Sequence, residues 1–333
     1  MSVWRRLWVL SRPRLAPYVL ALVLAGYGWA HWDRALTMRG GAGLPWVLVG
    51  WWFLHAGTLW LNAAVDRDEG EVLMGEAVEP PEGIELWGYA ALVAAVASSG
   101  MGGPIAGGGA LICALLAVAY SHPALLWKGH PLGGPLVNGL GYGLLSPMVG
   151  WSLVGVPLNP RTAVAWVLGF IGILGCYFAA QVFQEREDSE RGYRTMVVVL
   201  GASSTLLVAR VAVAVTLWGA VALAILGWIP RGCLALAPAA LWVDRWFAAW
   251  ARLPDGGDES AAREMARRLL ISAFIGVLAA TVVYLDDSFH GRPVAGLSTA
   301  AGLPTDRPRL PPGALRAWEQ HQGPVTAHEE AAR

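Results

Sequence analysis

The stretch Leu59-Trp-Leu-Asn62-Ala-Ala-Val-Asp66-Arg-Asp68-Glu69-Gly-Glu71 closes an apolar run that begins near residue 43. Its change from oil to carboxylate within one helical turn decides the fold. A second stretch, Gln181-Val-Phe-Gln184-Glu185-Arg-Glu187-Asp188-Ser-Glu190-Arg191-Gly192-Tyr-Arg194-Thr195, ends another apolar run in the same way. Charge within a bilayer is costly, so carboxylates gathered at the end of a span mark a functional site by default. Such residues are ordinarily solvated caps when they occur once. Here two acidic faces recur on two spans, each followed by a glycine-containing loop, and a cap does not require that recurrence.

The rest of the composition places the chain in a membrane. Of its 333 residues, 56% are apolar and only 14% charged, and the mean hydropathy is +0.48, outside the range of an ordinary soluble domain. Formal charge is zero, and without a basic field or arginine-aromatic repeat there is no case for a nucleic-acid partner. Cys113, Cys176 and Cys233 sit in or beside apolar runs without metal-ligand spacing, so they read as small buried hydrophobes.

A window of about 20 residues, enough for a helix to cross ~30 Å of hydrocarbon, selects spans near 15–32, 43–64, 86–101, 104–121, 134–154, 162–183, 202–228, 232–251 and 269–285. The expected fold is therefore all-α, a polytopic membrane bundle of nine helices. Basic residues set its orientation. With the N-terminus inside, Arg5, Arg6, Arg12, Arg14, Arg67, Lys128, Arg186, Arg191, Arg194, Arg252, Arg263, Arg267 and Arg268 gather on the cytoplasmic face, against Arg34, Arg39, Arg161 and Arg231 outside. Both acidic stretches then face the cytoplasm, in a multi-pass protein of the cell (cytoplasmic) membrane. Residues 1–286 form the membrane domain, and 287–333, rich in proline and glycine, read as a disordered tail on the opposite side.

Helical geometry sorts the acids. At 100° per residue from Asn62, Asp66 lies at about 40° and Glu69 at about −20°, whereas Asp68 projects away. Gln181, Gln184, Glu185 and Asp188 likewise lie within about 60° of one another's face, and Glu187 and Glu190 point away. Magnesium takes about six oxygens and commonly needs one or two carboxylates plus phosphate and water. Asp66, Glu69, Glu185 and Asp188 meet that need, with Asn62, Gln181 and Gln184 as neutral supplements.

These residues resemble the UbiA superfamily of intramembrane prenyltransferases. The family's first motif, Asn-Asp-x-x-Asp-x-x-x-Asp, is matched by Asn62 and Asp66, with Ala63 and Gly70 in place of its other acids. Its second, Asp-x-x-Asp-x-x-x-Asp-x-x-x-Gly-x-x-Thr, is matched by Asp188, Gly192 and Thr195, with Gln181 and Gln184 in place of two acids. Ser11-Arg12-Pro13, Pro80-Pro-Glu-Gly83 and Tyr120-Ser-His-Pro123 with Lys128 are further matches, so the resemblance spans roughly residues 5–285.

The resemblance implies a Mg2+-dependent transfer of an isoprenyl group from a diphosphate to an aromatic or other lipophilic acceptor, inside a lipid-facing helical cavity. Asp66, Asp188 and Lys128 carry the implied catalysis. Asn62, Lys128, Arg191, Arg194 and Tyr120 would hold the diphosphate, and Asp66, Glu69, Gln184, Glu185 and Asp188 the metal. Lys128 is the only lysine in the chain. The departures cut the other way, because glutamine is a weak ligand for a hard cation. They keep open a noncatalytic relative that binds or moves a prenyl-type lipid. A transporter is a third reading, resting on the mid-span Arg210, although no duplicated halves are visible.

Overall fold

The computed structural model describes residues 1–31, 41–66, 75–76 and 78–289, with residues 255 and 284–289 described by backbone alone. The described residues are helical and loop in character, without strands. The chain order is α1 (Val3–Leu10), α2 (Ala16–Ala30), α3 (Leu44–Asp66), α4 (Ile84–Met101), α5 (Pro104–Ser121), α6 (Gly133–Asn138), a π-helical segment (Gly139–Leu145), α7 (Ser146–Ser152), α8 (Pro160–Gln181), α9 (Glu185–Glu190), α10 (Met196–Leu200), α11 (Ala202–Ile225), α12 (Leu236–Trp250) and α13 (Glu259–Phe289).

Six helices among the described residues are long and apolar enough to cross a membrane: those in α3, α4, α5, α8 with its extension to Glu190, α11 and α13. The other three expected spans take shorter or interrupted forms. Residues 15–32 yield a 15-residue helix, residues 134–154 are divided among α6, the π segment and α7, and residues 232–251 enter through a 3-10 turn, Arg231–Ala235, before the 15 residues of α12. The nine-span reading thus holds for six by length and composition. The last helix starts ten residues before the expected 269, since Glu259, Arg263, Glu264, Arg267 and Arg268 pair along its first turns and make a charged segment helical. Its backbone reaches Phe289, past the expected boundary at 286, and the remainder of the 287–333 tail lies outside the described residues.

Local chemistry explains several boundaries. Asn159 accepts from the amides of Arg161 and Thr162, both at 3.0 Å, and Pro160 opens α8 behind this cap. Gly102 and Gly103 separate α4 from α5, which begins on Pro104. Pro147 has no N–H to offer the turn before it, and Gly139–Leu145, just ahead of α7, widen into the π form. The Ser146 hydroxyl donates to the Gly141 carbonyl at 2.7 Å and accepts from the Trp51 indole at 2.9 Å, tying this irregular backbone to α3.

Two apolar cores flank a seam. One joins α2, α3, α4, α5 and the start of α7 around Trp51, Val23, Val47 and Val149; the other joins α8, α11, α12 and α13 around Phe178, Phe247, Trp250 and Met265. Without a hydrophobic drive between helices in lipid, close backbone approach supplies much of the attraction. A Cβ at Gly26 would lie 1.9 Å from the Pro147 carbonyl oxygen, and one at Gly150 would lie 1.9 Å from that of Val23, so α2 and α7 touch backbone to backbone. Replacing Gly150 by leucine forces this crossing apart. The expected loss is about 1–3 kcal/mol, read as a lowered unfolding midpoint in detergent, whereas Gly141→Ala, where a Cβ meets nothing within 4 Å, leaves the midpoint close to wild type.

Candidate functional site

The end of α3, the loop after α5 and the segment after α8 meet across the seam. Leu126 adopts φ 46°, ψ 44°, a left-handed conformation uncommon for leucine, directly before the 3-10 turn Trp127–Gly129. That turn carries Lys128 inward, where it is only 5% exposed. Its ammonium donates to Asn62 Oδ1 at 3.1 Å and to Asp66 Oδ1 at 2.5 Å. Asn62 and Asp66 thus present their oxygens to one cation, as their four-residue spacing on a helix requires.

The second segment is shaped by its glycine. Gly192 has φ 73°, in the left-handed region. Its amide donates to the Ser189 carbonyl at 3.0 Å and the following Tyr193 amide to the Asp188 carbonyl at 2.9 Å, the paired bonds of a Schellman motif that stops α9. The chain turns back at once. Thr195 Oγ1 then donates to Asp188 Oδ2 at 2.8 Å, and the Arg194 amide donates to the Gly129 carbonyl at 2.8 Å, pinning this segment to the lysine loop. The spacing Asp188-x-x-x-Gly192-x-x-Thr195 is therefore one turn of helix, a left-handed reversal and a hydroxyl returning to the acid.

Asp66 lies at the centre of the network, its side chain 9% exposed. Besides Lys128, Tyr193 donates to its Oδ1 at 3.1 Å, and Arg191 approaches that oxygen at 3.5 Å and the Asp66 main-chain carbonyl at 3.1 Å. Arg191 also grips Glu187 at 2.6 Å, so Glu187, which the helical projection turned away, reaches the site through this arginine. Burial and the Asp66 carboxylate raise the Tyr193 phenol above its ordinary value, and it remains a donor at neutral pH. Asp188 is buried and within electrostatic reach of Asp66. The hydroxyls of Tyr120 and Tyr177 lie 3.3 Å apart, close enough to feel the charge of both carboxylates.

Other residues named from sequence fall differently. Gln181 is buried with its Oε1 lacking a partner among the described residues. Gln184 and Glu185 are half-buried, but the helical face drawn through them is interrupted: α8 ends at Gln181, and Val182–Gln184 form a 3-10 turn with a tighter repeat. The Arg194 side chain is exposed, and its amide makes the contact instead. Glu69 lies outside the described residues. Among those described, no three His, Cys, Asp or Glu side chains gather as a metal site.

Sequence reasoning missed Tyr193 and Tyr177, which carry no motif position, and underused Arg12. Arg12 takes φ 45° and brings its charge within reach of His55, Tyr120 and Tyr142. His55 lies seven residues before Asn62 on the same face of α3, buried beside the backbone of Ser11 and Arg12. That seven-residue spacing was the one available signal.

The reversal at Gly192 makes a direct prediction. Gly192→Ala strains the left-handed position by about 1 kcal/mol and loosens the Tyr193 and Thr195 contacts. Thr195→Val, which keeps the shape and removes the donor, costs a similar amount. Unfolding in detergent measures both, and an unchanged midpoint in both variants would show that the loop is held by other contacts.

Comparison with known proteins agrees with this fold. A UbiA homologue from Archaeoglobus fulgidus bound to DMAPP and Mg2+ is similar in fold, with a TM-score of 0.61 at 16% identity over 83% of this chain and 99% of that one. A structure reported for digeranylgeranylglyceryl phosphate synthase gives 0.60 at 15% identity over 86% and 100%, and the A. fulgidus homologue bound to GPP and Mg2+ gives 0.56 at 15% over 83% and 99%. No curated protein matches the sequence. The family model described as the UbiA prenyltransferase family matches residues 15–271, well over half the chain. By that match, with the fold in accord, this chain belongs to the UbiA prenyltransferase family.

Proposed function

We propose that the protein is a membrane prenyltransferase that moves an isoprenyl group from a prenyl diphosphate to a lipophilic acceptor, at the seam where Asp66, Lys128, Asp188 and Arg191 meet. The observation that carries this reading is the buried Lys128 ammonium held between Asn62 and Asp66, with Arg191 on the same carboxylate. Cations concentrated in a water-poor site stabilise the charge that builds on a departing diphosphate. The structural relatives bound to DMAPP or GPP support the same substrate class, as does the family.

The chemistry of the donor set suits magnesium. Asp66 and Asp188 lie in electrostatic reach of each other, Thr195 engages only one oxygen of Asp188, and the Gln181 Oε1 is unpartnered among the described residues. One or two carboxylates suffice for magnesium when phosphate and water complete its shell. Asp66 and Asp188 would hold it, with Gln181, Gln184, Glu185 and Glu69 as further oxygens. When bound, it would neutralise diphosphate charge and favour cleavage of the carbon–oxygen bond.

The chain's own residues supply the rest. Lys128 and Arg191, now paired with Asp66, offer donors to the diphosphate oxygens, and Asn62 fixes the lysine as it shifts. Tyr193 keeps Asp66 oriented while its cationic partners turn to substrate. The Tyr120 hydroxyl, paired with that of Tyr177, offers a further donor to the diphosphate. We further place the protein in the cell membrane with these loops on the cytoplasmic face, in keeping with the distribution of arginines.

Binding of geranyl diphosphate to the purified full chain, with and without magnesium, tests the reading. Lys128→Ala, Asp66→Asn and Asp188→Asn should each weaken magnesium-dependent binding about 10- to 100-fold, the scale of one lost charge-assisted contact. Prenyl transfer to a lipophilic acceptor should fall at least as far. Binding untouched by chelator and by both aspartate substitutions would instead identify a lipid-binding relative without catalysis.

A further inference from the structure

A second cationic site lies away from the seam, on the lipid-facing side of α11, α12 and α13. Arg210 of α11 and Asp244 of α12 form a bidentate ion pair, with Nε–Oδ1 at 2.6 Å and Nη2–Oδ2 at 2.8 Å, both side chains more than one-third exposed. At the same level, the Arg268 guanidinium of α13 lies 4.7 Å and 4.9 Å from the ring centres of Trp242 and Trp246 on α12, and donates to the Trp242 carbonyl. Its neighbour Arg267, 55% exposed, sits 5.9 Å from the Trp242 ring. Two helices, α11 and α13, therefore bring guanidinium groups to a single turn of α12.

Arg245 occupies the middle of that turn. Successive α12 residues assign its faces: Val243 and Phe247 are buried, Asp244 meets α11, and Trp242 and Trp246 meet α13. Arg245 points outward between the two neighbours, exposed, with no side-chain partner among the described residues. Its acidic surroundings are already engaged, since Asp244 is paired with Arg210 and Glu264 with both Arg267 and Arg268. The patch keeps a surplus of positive charge beside exposed Leu241, Val211, Leu270 and Phe274.

Its position is fixed by the fold. Arg245 stands five residues before the end of α12, about 8 Å along the axis, and the hairpin beyond that end packs Gly256 against Val182 next to the second motif. The patch thus lies toward the same end of the helices as the site. Arginines near helix ends extend toward headgroups, and guanidinium pairs phosphate through two parallel bonds.

We propose that Arg245 and Arg267, framed by Arg210 and Trp242, bind the headgroup phosphate of an anionic phospholipid whose acyl chains lie along Leu241, Leu270 and Phe274. Charge complementarity selects the occupant: a zwitterionic headgroup brings its own cation into a patch already rich in them.

Native mass spectrometry of the full chain, released from micelles containing equal phosphatidylglycerol and phosphatidylcholine, tests the proposal. The wild type should retain phosphatidylglycerol several-fold over phosphatidylcholine, and the preference should fall as salt rises. Arg245→Gln with Arg267→Gln should abolish it, while Arg186→Gln, an exposed arginine elsewhere, should preserve it. Unchanged geranyl diphosphate binding in the double variant establishes that it is folded. Equal retention of the two lipids by wild type, a preference surviving the double substitution, or complete displacement by millimolar inorganic phosphate would each overturn the proposal, the last by revealing a site for free anions.

Discussion

The Lys128–Asp66 ion pair is the contact on which the polar centre depends. It joins the last turn of α3 to a loop 62 residues later, and the segment after α8 closes on the same pair through Arg191 and Tyr193. A lone carboxylate or ammonium here would incur a large desolvation cost, which mutual pairing and added hydrogen bonds offset. The arrangement explains why so few acids suffice to organise the seam. Ala63 and Gln181 are neutral, and the two buried carboxylates are each met by donors: Lys128, Tyr193 and Arg191 for Asp66, and Thr195 for Asp188.

Stability and function draw on different parts of the molecule. The apolar cores flanking the seam contain small residues and backbone-to-backbone crossings such as that of Gly26 and Gly150, and lipid surrounds them. The seam is polar, buried and built from loop ends, which the flanking helices hold in register. Strained positions collect there too: Leu126 before the lysine turn and Arg12 before α2 are the non-glycine residues with positive φ among those described. Such conformations persist when surrounding contacts over-determine them and cluster at functional sites.

Much of this was legible in the sequence, and the rest was hidden for definite reasons. The apolar runs announced α3, α4, α5, α8 and α11 because a bilayer demands about 20 apolar helical residues. Asn62, Asp66 and Lys128 were legible through their motif spacing, and the contact between them follows once the loops fold inward. The broken helix at 133–152 was not legible as such, since the π segment depends on Pro147 and on a Trp51–Ser146 bond between residues 95 apart. Tyr193 escaped because an aromatic in a loop resembles an interface residue until the Gly192 reversal turns it inward. The start of α13 escaped because its charged first turns read as loop, whereas their i,i+3 and i,i+4 ion pairs favour helix.

The 3-10 turn at Val182–Gln184 sets the phase between two otherwise independent rods. Each of its residues advances the backbone about 120°, against 100° in the flanking helices. Loss or gain of one residue there would swing Asp188 through roughly a third of a circle and carry Thr195, Tyr193 and Arg191 with it. Substitutions in that turn keep the angle and changes of length do not, so the number of residues between Gln181 and Glu185 sets the direction in which Asp188 faces.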